Sequence, residues 1–170
     1  MLYVARRILL RRMGLLVWLE SLPVSVWMST SPSLWAQPTM LTLHTMGMGV
    51  LVGASWVLDL RLLGISRNIP LSSFRWVFPA VAIALPINLT TGVLLFMQRA
   101  TTWGTAIPFF IKMLLVVASV ATLVPIRSLV SGSHAEQPGI SPRGRLLAVT
   151  SILAWTGAVT AGRLLAYLVP

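Results

Sequence analysis

The chain has 170 residues, of which 56% are hydrophobic and 9% charged, and it contains no cysteine. A mean hydropathy of +0.87 leaves too little polar surface for a water-soluble domain. The missing cysteine excludes disulfides, thiolate metal sites and cysteine nucleophiles. The formal net charge is +10, but the arginines lie at the ends of apolar stretches. This pattern indicates a lipid bilayer as the partner, and no nucleic acid.

The first 37 residues divide into a basic extension and an amphipathic segment. Residues 1–12 hold four arginines, and we interpret them as an extension ahead of a true start at Met13. Residues 13–37 contain three tryptophans, which favour the headgroup region, while Glu20 and Pro23 make this stretch a poor membrane span. We therefore predict that residues 13–37 form an interfacial amphipathic segment.

Four long apolar stretches follow this segment. They cover residues 38–58, 76–98, 107–126 and 146–168. Each is close to the roughly 20 residues that cross a hydrocarbon core of about 30 Å. The sequence therefore predicts an all-α fold, in which residues 38–170 form an integral membrane four-helix bundle.

Basic residues are distributed unevenly between the two ends of these stretches. The loops at residues 59–75 and 127–145 hold Arg61, Arg67, Arg75, Arg127, Arg143 and Arg145. Arg99, Lys112 and Arg163 lie toward the other end. The positive-inside rule then places both arginine-rich loops in the cytoplasm. The arginines of residues 1–12 conflict with this orientation unless the chain starts at Met13 or the apolar stretch from Met13 to Met28 also crosses the membrane.

Three residues that can carry positive charge are predicted to share one depth near the non-cytoplasmic ends of the spans. They are His44, Lys112 and Arg163. In the functional interpretation they bind a cofactor: His44 is the axial ligand of haem b, and therefore a metal ligand only if haem is bound, while the two cations hold the propionates. In the structural interpretation, a hydroxyl or carbonyl of a neighbouring helix satisfies His44, and Lys112 extends to the interface.

Helical spacing and ligand count extend this hypothesis. Arg163 follows Thr156 and Thr160 at intervals of three or four residues, which predicts that it faces the bundle interior. The other histidine, His134, lies in a polar loop at the far end. A second axial ligand would need a methionine, a second subunit or an open position. The candidate methionines are Met46, Met48 and Met97.

The remaining polar residues of the spans have simpler interpretations. Asp59 and Arg61 are predicted to form an ion pair or a helix-end cap, and a proton relay through Asp59 lacks partners in the sequence. Asn88 begins a polar, small stripe on the second span and is a structural polar residue. Hydrolase, zinc-protease, phosphate-loop and dinucleotide motifs are all missing from the sequence, so no catalytic residue is predicted.

Several segments resemble an uncharacterised family of small bacterial inner-membrane proteins with four spans. They are LHTMG at residues 43–47, DLRLLG at 59–64 and AGRLLAY at 161–167, and the resemblance covers nearly all of residues 13–167. The resemblance implies a four-span helical fold in a bacterial inner membrane, and it implies no activity. The family is distantly similar to b-type membrane cytochromes and to the membrane domain of copper-resistance proteins. Relatives carry a further histidine where this chain has Pro125-Ile126-Arg127, which disfavours a two-histidine haem site.

Three functions are open to a chain of this kind. The first is an accessory or structural membrane protein associated with a redox complex, in contact with other subunits or with copies of itself. The second is an electron carrier that binds haem b or a quinone through His44 and Arg163. The third is a transporter-like role, which is disfavoured because the spans show neither a paired-ion pathway nor an inverted repeat.

Overall fold

The computed structural model describes residues 13–132 and 141–169, and these residues form helices and connecting turns without strands. Residues 1–12, with the predicted extension, and His134 lie outside the described residues. We number the helices in chain order as α1 (13–21), α2 (Pro23–Thr30), α3 (Gln37–Leu63), α4 (Val77–Met97), α5 (Ala100–Trp103), α6 (Ile107–Ser131) and α7 (Pro142–Leu168). A 3-10 turn at Leu71–Phe74 precedes α4.

Four of these elements are long and apolar enough to cross a membrane. They are α3, α6, α7 and the stretch Leu71–Met97, which joins the 3-10 turn to α4. The prediction of an all-α, multi-pass membrane four-helix bundle is therefore confirmed. Large apolar side chains remain exposed along all four helices, as lipid contact requires.

The helices continue past the predicted spans at the arginine-rich end. Helix α3 ends at Leu63 and α6 at Ser131, five residues beyond the predictions in both cases. Gly64 terminates α3 in the left-handed conformation at φ 108°. At the start of α7, Pro142 takes the first helical position, and the backbone N–H of Gly144 donates to Ser141 Oγ at 3.0 Å.

Within the bundle, α3 packs against α4 and α7, and α7 packs against α6. Helices α3 and α6 run in one direction through the bundle, and α4 and α7 run in the opposite direction. We call the end formed by residues 63, 77, 131 and 142 the closed end, because the apolar core lies there. Its fully buried members include Leu58, Val77, Ile126, Val130 and Ala148. There too the Arg127 guanidinium lies 5.8 Å from the Phe78 ring centre.

The opposite end, formed by residues 37, 97, 107 and 168, is called the open end. Helices α1 and α2 lie against it. Ser25 Oγ donates to the Met97 carbonyl at 2.9 Å. The Glu20 carboxylate accepts from Thr101 N at 2.8 Å and from Thr101 Oγ1 at 2.7 Å. Trp18, with more than half of its surface exposed, extends away from these contacts. An interfacial position for residues 13–37 stays a prediction.

Candidate functional site

A cavity of about 540 Å³ lies at the open end, and residues from α3, α4, α6 and α7 line it. This volume is within the range of small-molecule sites in proteins. The cavity exists because the helices carry small residues here, among them Gly92, Ala158 and Gly162. At the closed end, leucine, isoleucine and valine fill the corresponding space.

His44 lies on the cavity wall with one ring nitrogen held by α4. Its Nδ1 is 3.1 Å from the Asn88 carbonyl oxygen and 3.1 Å from Thr91 Oγ1. The Thr91 hydroxyl donates to the Ile87 carbonyl at 2.7 Å, so both groups that face Nδ1 act as acceptors. Nδ1 therefore carries the proton, and the lone pair is on Nε2, which makes no hydrogen bond within the described residues.

Asn88 completes a reciprocal link between α3 and α4. Its Nδ2 donates to the His44 carbonyl at 2.7 Å, while its own carbonyl accepts from the imidazole. Gly92, one turn further along α4, lies beside the imidazole edge, because a Cβ there would be 3.0 Å from His44 Cε1. The ring thus has a fixed tautomer and a fixed position, as is typical of histidine ligands.

Positive charge lines the same cavity. Lys112, Arg163 and Arg99 are among its residues, and none of the described aspartate or glutamate residues lines it. Lys112 is half-buried, and its stem runs past Gly162. Glu20 carries the acidic group of α1, but its carboxylate is engaged with Thr101. A cavity with this lining favours a ligand that carries negative charge.

The structure brings the three predicted residues His44, Lys112 and Arg163 to one cavity, but Arg163 reaches it from the rim. The side chain of Arg163 is exposed. Thr156 and Thr160, on its predicted stripe, are also exposed and donate to carbonyls of their own helix. The buried face of α7 instead consists of small and apolar residues such as Ala158 and Ala161. Arg163 therefore does not face the packed interior.

Further lining residues were not predicted from the sequence. Phe96 and Phe109 stack at 4.8 Å between ring centres and form an aromatic wall. Trp103 Nε1 and Gln98 Nε2 are buried donors without a partner among the described residues, and both side chains line the cavity. Arg99 was counted as a loop charge only. Polar and aromatic residues are common at span ends, so nothing in their sequence pattern marked these residues as a site.

Of the candidate methionines, Met48 lines the cavity. It lies one turn from His44 on the same helix, so it cannot approach a flat ligand from the opposite face. Met46 is 64% exposed and is absent from the cavity lining. Met97 ends α4 and likewise does not line the cavity.

Asp59 and Arg61 lie away from this cavity and do not form the expected ion pair. Asp59 follows His44 by fifteen positions on α3, about 22 Å along the axis. Arg61 instead donates from Nε to the Ile69 carbonyl, at 2.6 Å, and from Nη2 to the Arg67 carbonyl, at 3.1 Å. The physical reason is helical spacing, because side chains two positions apart point to different faces.

Among the described residues, no group of three or more His, Cys, Asp or Glu side chains is placed to hold a metal ion. A haem iron differs, since it needs only axial ligation from the protein. Comparison of the chain with protein-family models, with curated proteins and with solved structures gave no match. The functional argument therefore depends on the geometry of the open-end cavity.

Proposed function

We propose that this protein binds haem b in the open-end cavity, with His44 as its axial ligand, and acts as a membrane electron carrier. One observation carries the proposal: His44 is held through Nδ1, while Nε2 has no partner among the described residues at the wall of a cation-lined cavity. Haem supplies reversible one-electron transfer when it is bound.

The residues present fit such a group. Phe96, Phe109 and Met48 give the cavity an apolar, partly aromatic lining that suits a flat macrocycle. Lys112 and Arg163 supply the charge that would bind two propionates, with Arg99 also in the lining.

The described part of the chain offers this site one ligating side chain, that of His44. Met48 shares a helix with His44, and His134 lies outside the described residues. The second position would be open or filled by another chain. An electron carrier needs donors and acceptors, so we place the protein beside subunits of a redox complex or a second copy of itself. Under this proposal it is not itself an enzyme.

We further place the protein in a bacterial inner membrane, with its closed end in the cytoplasm. The resemblance of the LHTMG, DLRLLG and AGRLLAY segments supports the bacterial membrane. The arginines of the closed end, including Arg61, Arg67 and Arg75, support the orientation. By the same reasoning the open-end cavity faces the other side.

Absorption spectroscopy tests the haem proposal. Protein purified in mild detergent from haem-replete cells should show a Soret band and, after dithionite, a reduced α-band, with about one haem per chain. His44→Ala should lose both bands, because the cavity then lacks its ligating nitrogen. Thr42→Ala is the matched control: Thr42 is exposed on the same helix and donates to its own helix at Pro38.

A folded protein that stays colourless, and that takes up no added haem, would contradict the proposal. Lipid or quinone extracted from that protein would then identify the occupant of the cavity. Such a result would favour the accessory or structural role, with His44 as a packing residue. An unchanged spectrum in His44→Ala would equally reject His44 as the ligand.

A further inference from the structure

A second set of polar residues lies toward the closed end, inside the bundle and apart from the cavity. It consists of Asp59 on α3 with Ser151 and Trp155 on α7, and we call it the Asp59 cluster. Their exposed fractions are 1%, 0% and 2% respectively. Ser151 lies beside the Asp59 carboxyl. Trp155 lies one helical turn after Ser151 on α7.

Apart from the contact between the Ser151 hydroxyl and the Asp59 carboxyl, the polar atoms of this cluster have no hydrogen-bond partners among the described residues. These atoms are both carboxyl oxygens of Asp59, the Ser151 hydroxyl and the Trp155 ring nitrogen. Other buried serines differ: Ser55 and Ser119 each donate to a carbonyl of their own helix at 2.7 Å. Buried polar groups are nearly always paired, so a cluster in which the described residues offer only the contact between Ser151 and Asp59 indicates a bound species.

The described part of the chain places no cation against the carboxyl. Arg61, the nearest in sequence, donates from Nε and Nη2 to loop carbonyls, and its buried Nη1 makes no hydrogen bond to the carboxyl. From α6, the Thr122 hydroxyl is occupied by the Ser119 carbonyl, and Arg127 lies over Phe78. On α7, Arg143 and Arg145 lie in the first turn and are exposed. A buried carboxylate without a counter-charge is strongly unfavourable, and either a proton or a metal cation would neutralise it.

The hydrogen-bond donors and acceptors of the Asp59 cluster favour a proton over a metal cation. A dehydrated metal cation requires oxygen ligands around it, and the indole N–H of Trp155 can only donate. A water molecule can accept from Trp155 and donate to an oxygen, and a buried water needs two to four such partners. The cluster therefore suits a water molecule beside a carboxyl group that takes up a proton.

We infer that Asp59 is a proton-binding site, linked by an ordered water to Ser151 and Trp155, which exchanges its proton with the aqueous phase at the closed end. On uptake, a proton joins a carboxylate oxygen to give the carboxylic acid. On release, it returns to water and leaves the carboxylate. Asp59 lies four residues before the end of α3, which is about 6 Å along the helix axis.

The sequence provides a direct experiment, because Asp59 is the one aspartate of the chain. Aspartate labelled with carbon-13 at the side-chain carboxyl gives a single carboxyl resonance in the full-length protein in detergent. We expect this resonance to move between its protonated and ionised positions as the pH is changed within the range where the protein stays folded. Asp59→Asn, made with the same label, should lack the titrating resonance.

Two serine variants test the role of the cluster. Ser151→Ala should shift the titration midpoint, because it removes the hydroxyl beside the carboxyl. Ser119→Ala is the matched control, since Ser119 is equally buried but its hydroxyl is paired within α6. It should leave the midpoint unchanged. The titration of the unmodified chain still tests the proposal if either variant fails to fold.

Two outcomes would overturn the inference. A resonance that stays in one form over the whole pH range would show that Asp59 exchanges no proton. A resonance that responds to sodium or potassium at constant pH, and not to pH itself, would show a metal cation in its place. Neither outcome depends on whether haem binds at the open end.

Discussion

Gly92 determines where the imidazole of His44 lies. A Cβ at this position would be 3.0 Å from His44 Cε1 and 3.5 Å from Nδ1. Gly92→Ala should therefore displace the ring and weaken its bonds to Asn88 and Thr91. We expect a loss of about 1–3 kcal/mol in unfolding free energy, together with loss of bound haem. Thermal unfolding and haem content per chain measure the two effects.

Gly49→Ala is the control for this substitution. Gly49 lies on α3, and a Cβ there would meet nothing within 4 Å. This variant should keep its haem and hold or gain up to about 1 kcal/mol, because alanine is the better helix former. Equal destabilisation by both variants would show that the contact between Gly92 and His44 does not restrain the ring.

Among individual residues, the sequence identified those whose polar or charged side chains cost free energy inside a membrane span. His44 and Lys112 were predicted for that reason, and the structure places both at the cavity. Arg99, Gln98 and Trp103 could not be found in this way. They lie at or beyond the end of α4, where polar and aromatic residues are common, and their role depends on how the connection folds over the cavity.

Among the elements, α1 contacts the open end through the Glu20 carboxylate and through Leu16, which lies beside Gly104. Glu20 accepts two hydrogen bonds from Thr101, at the start of α5. Glu20→Ala should release α1 and α2 from the open end while the four long helices stay folded. Hydrogen bonds to charged groups contribute about 1.5–3 kcal/mol, so amide exchange in residues 13–30 should rise roughly tenfold to a hundredfold. Exchange measured by mass spectrometry provides the test.

Ser21→Ala is the neighbouring control. The Ser21 hydroxyl is exposed and donates only to the Trp18 carbonyl of its own helix. This variant should exchange like the unmodified chain. If Glu20→Ala also exchanged like the unmodified chain, other contacts, such as that of Ser25 with Met97, would have to hold the segment.

The four long helices and their order could be predicted from hydropathy, whereas their ends and the short helices could not. The predicted spans stopped at the first charged or terminal apolar residue, but α3 continues past Arg61, which donates from Nε and Nη2 to loop carbonyls. The sequence did contain the signals that end the helices. Gly64 follows α3, and Ser141 with Pro142 begins α7.

In the whole molecule, the two ends of one bundle differ in what fills them. Large apolar side chains pack the closed end, while small residues and cations leave a cavity at the open end. Hydropathy is high along all four spans, so a sequence profile does not separate these halves. The difference follows from which faces meet, in particular the packing of α7 against both α3 and α6.

The orientation of the bundle decides which aqueous phase each end meets, and the cysteine-free sequence makes it testable with single cysteines. Ser73 lies exposed at the closed end and Thr102 lies exposed at the open end. If the arginine-rich end is cytoplasmic, a membrane-impermeant maleimide added to intact cells should label Thr102→Cys and leave Ser73→Cys unlabelled until the cells are opened. If only Ser73→Cys were labelled in intact cells, the protein would have the opposite orientation in the membrane. The haem site would then face the cytoplasm, and Asp59 would exchange its proton with the opposite phase.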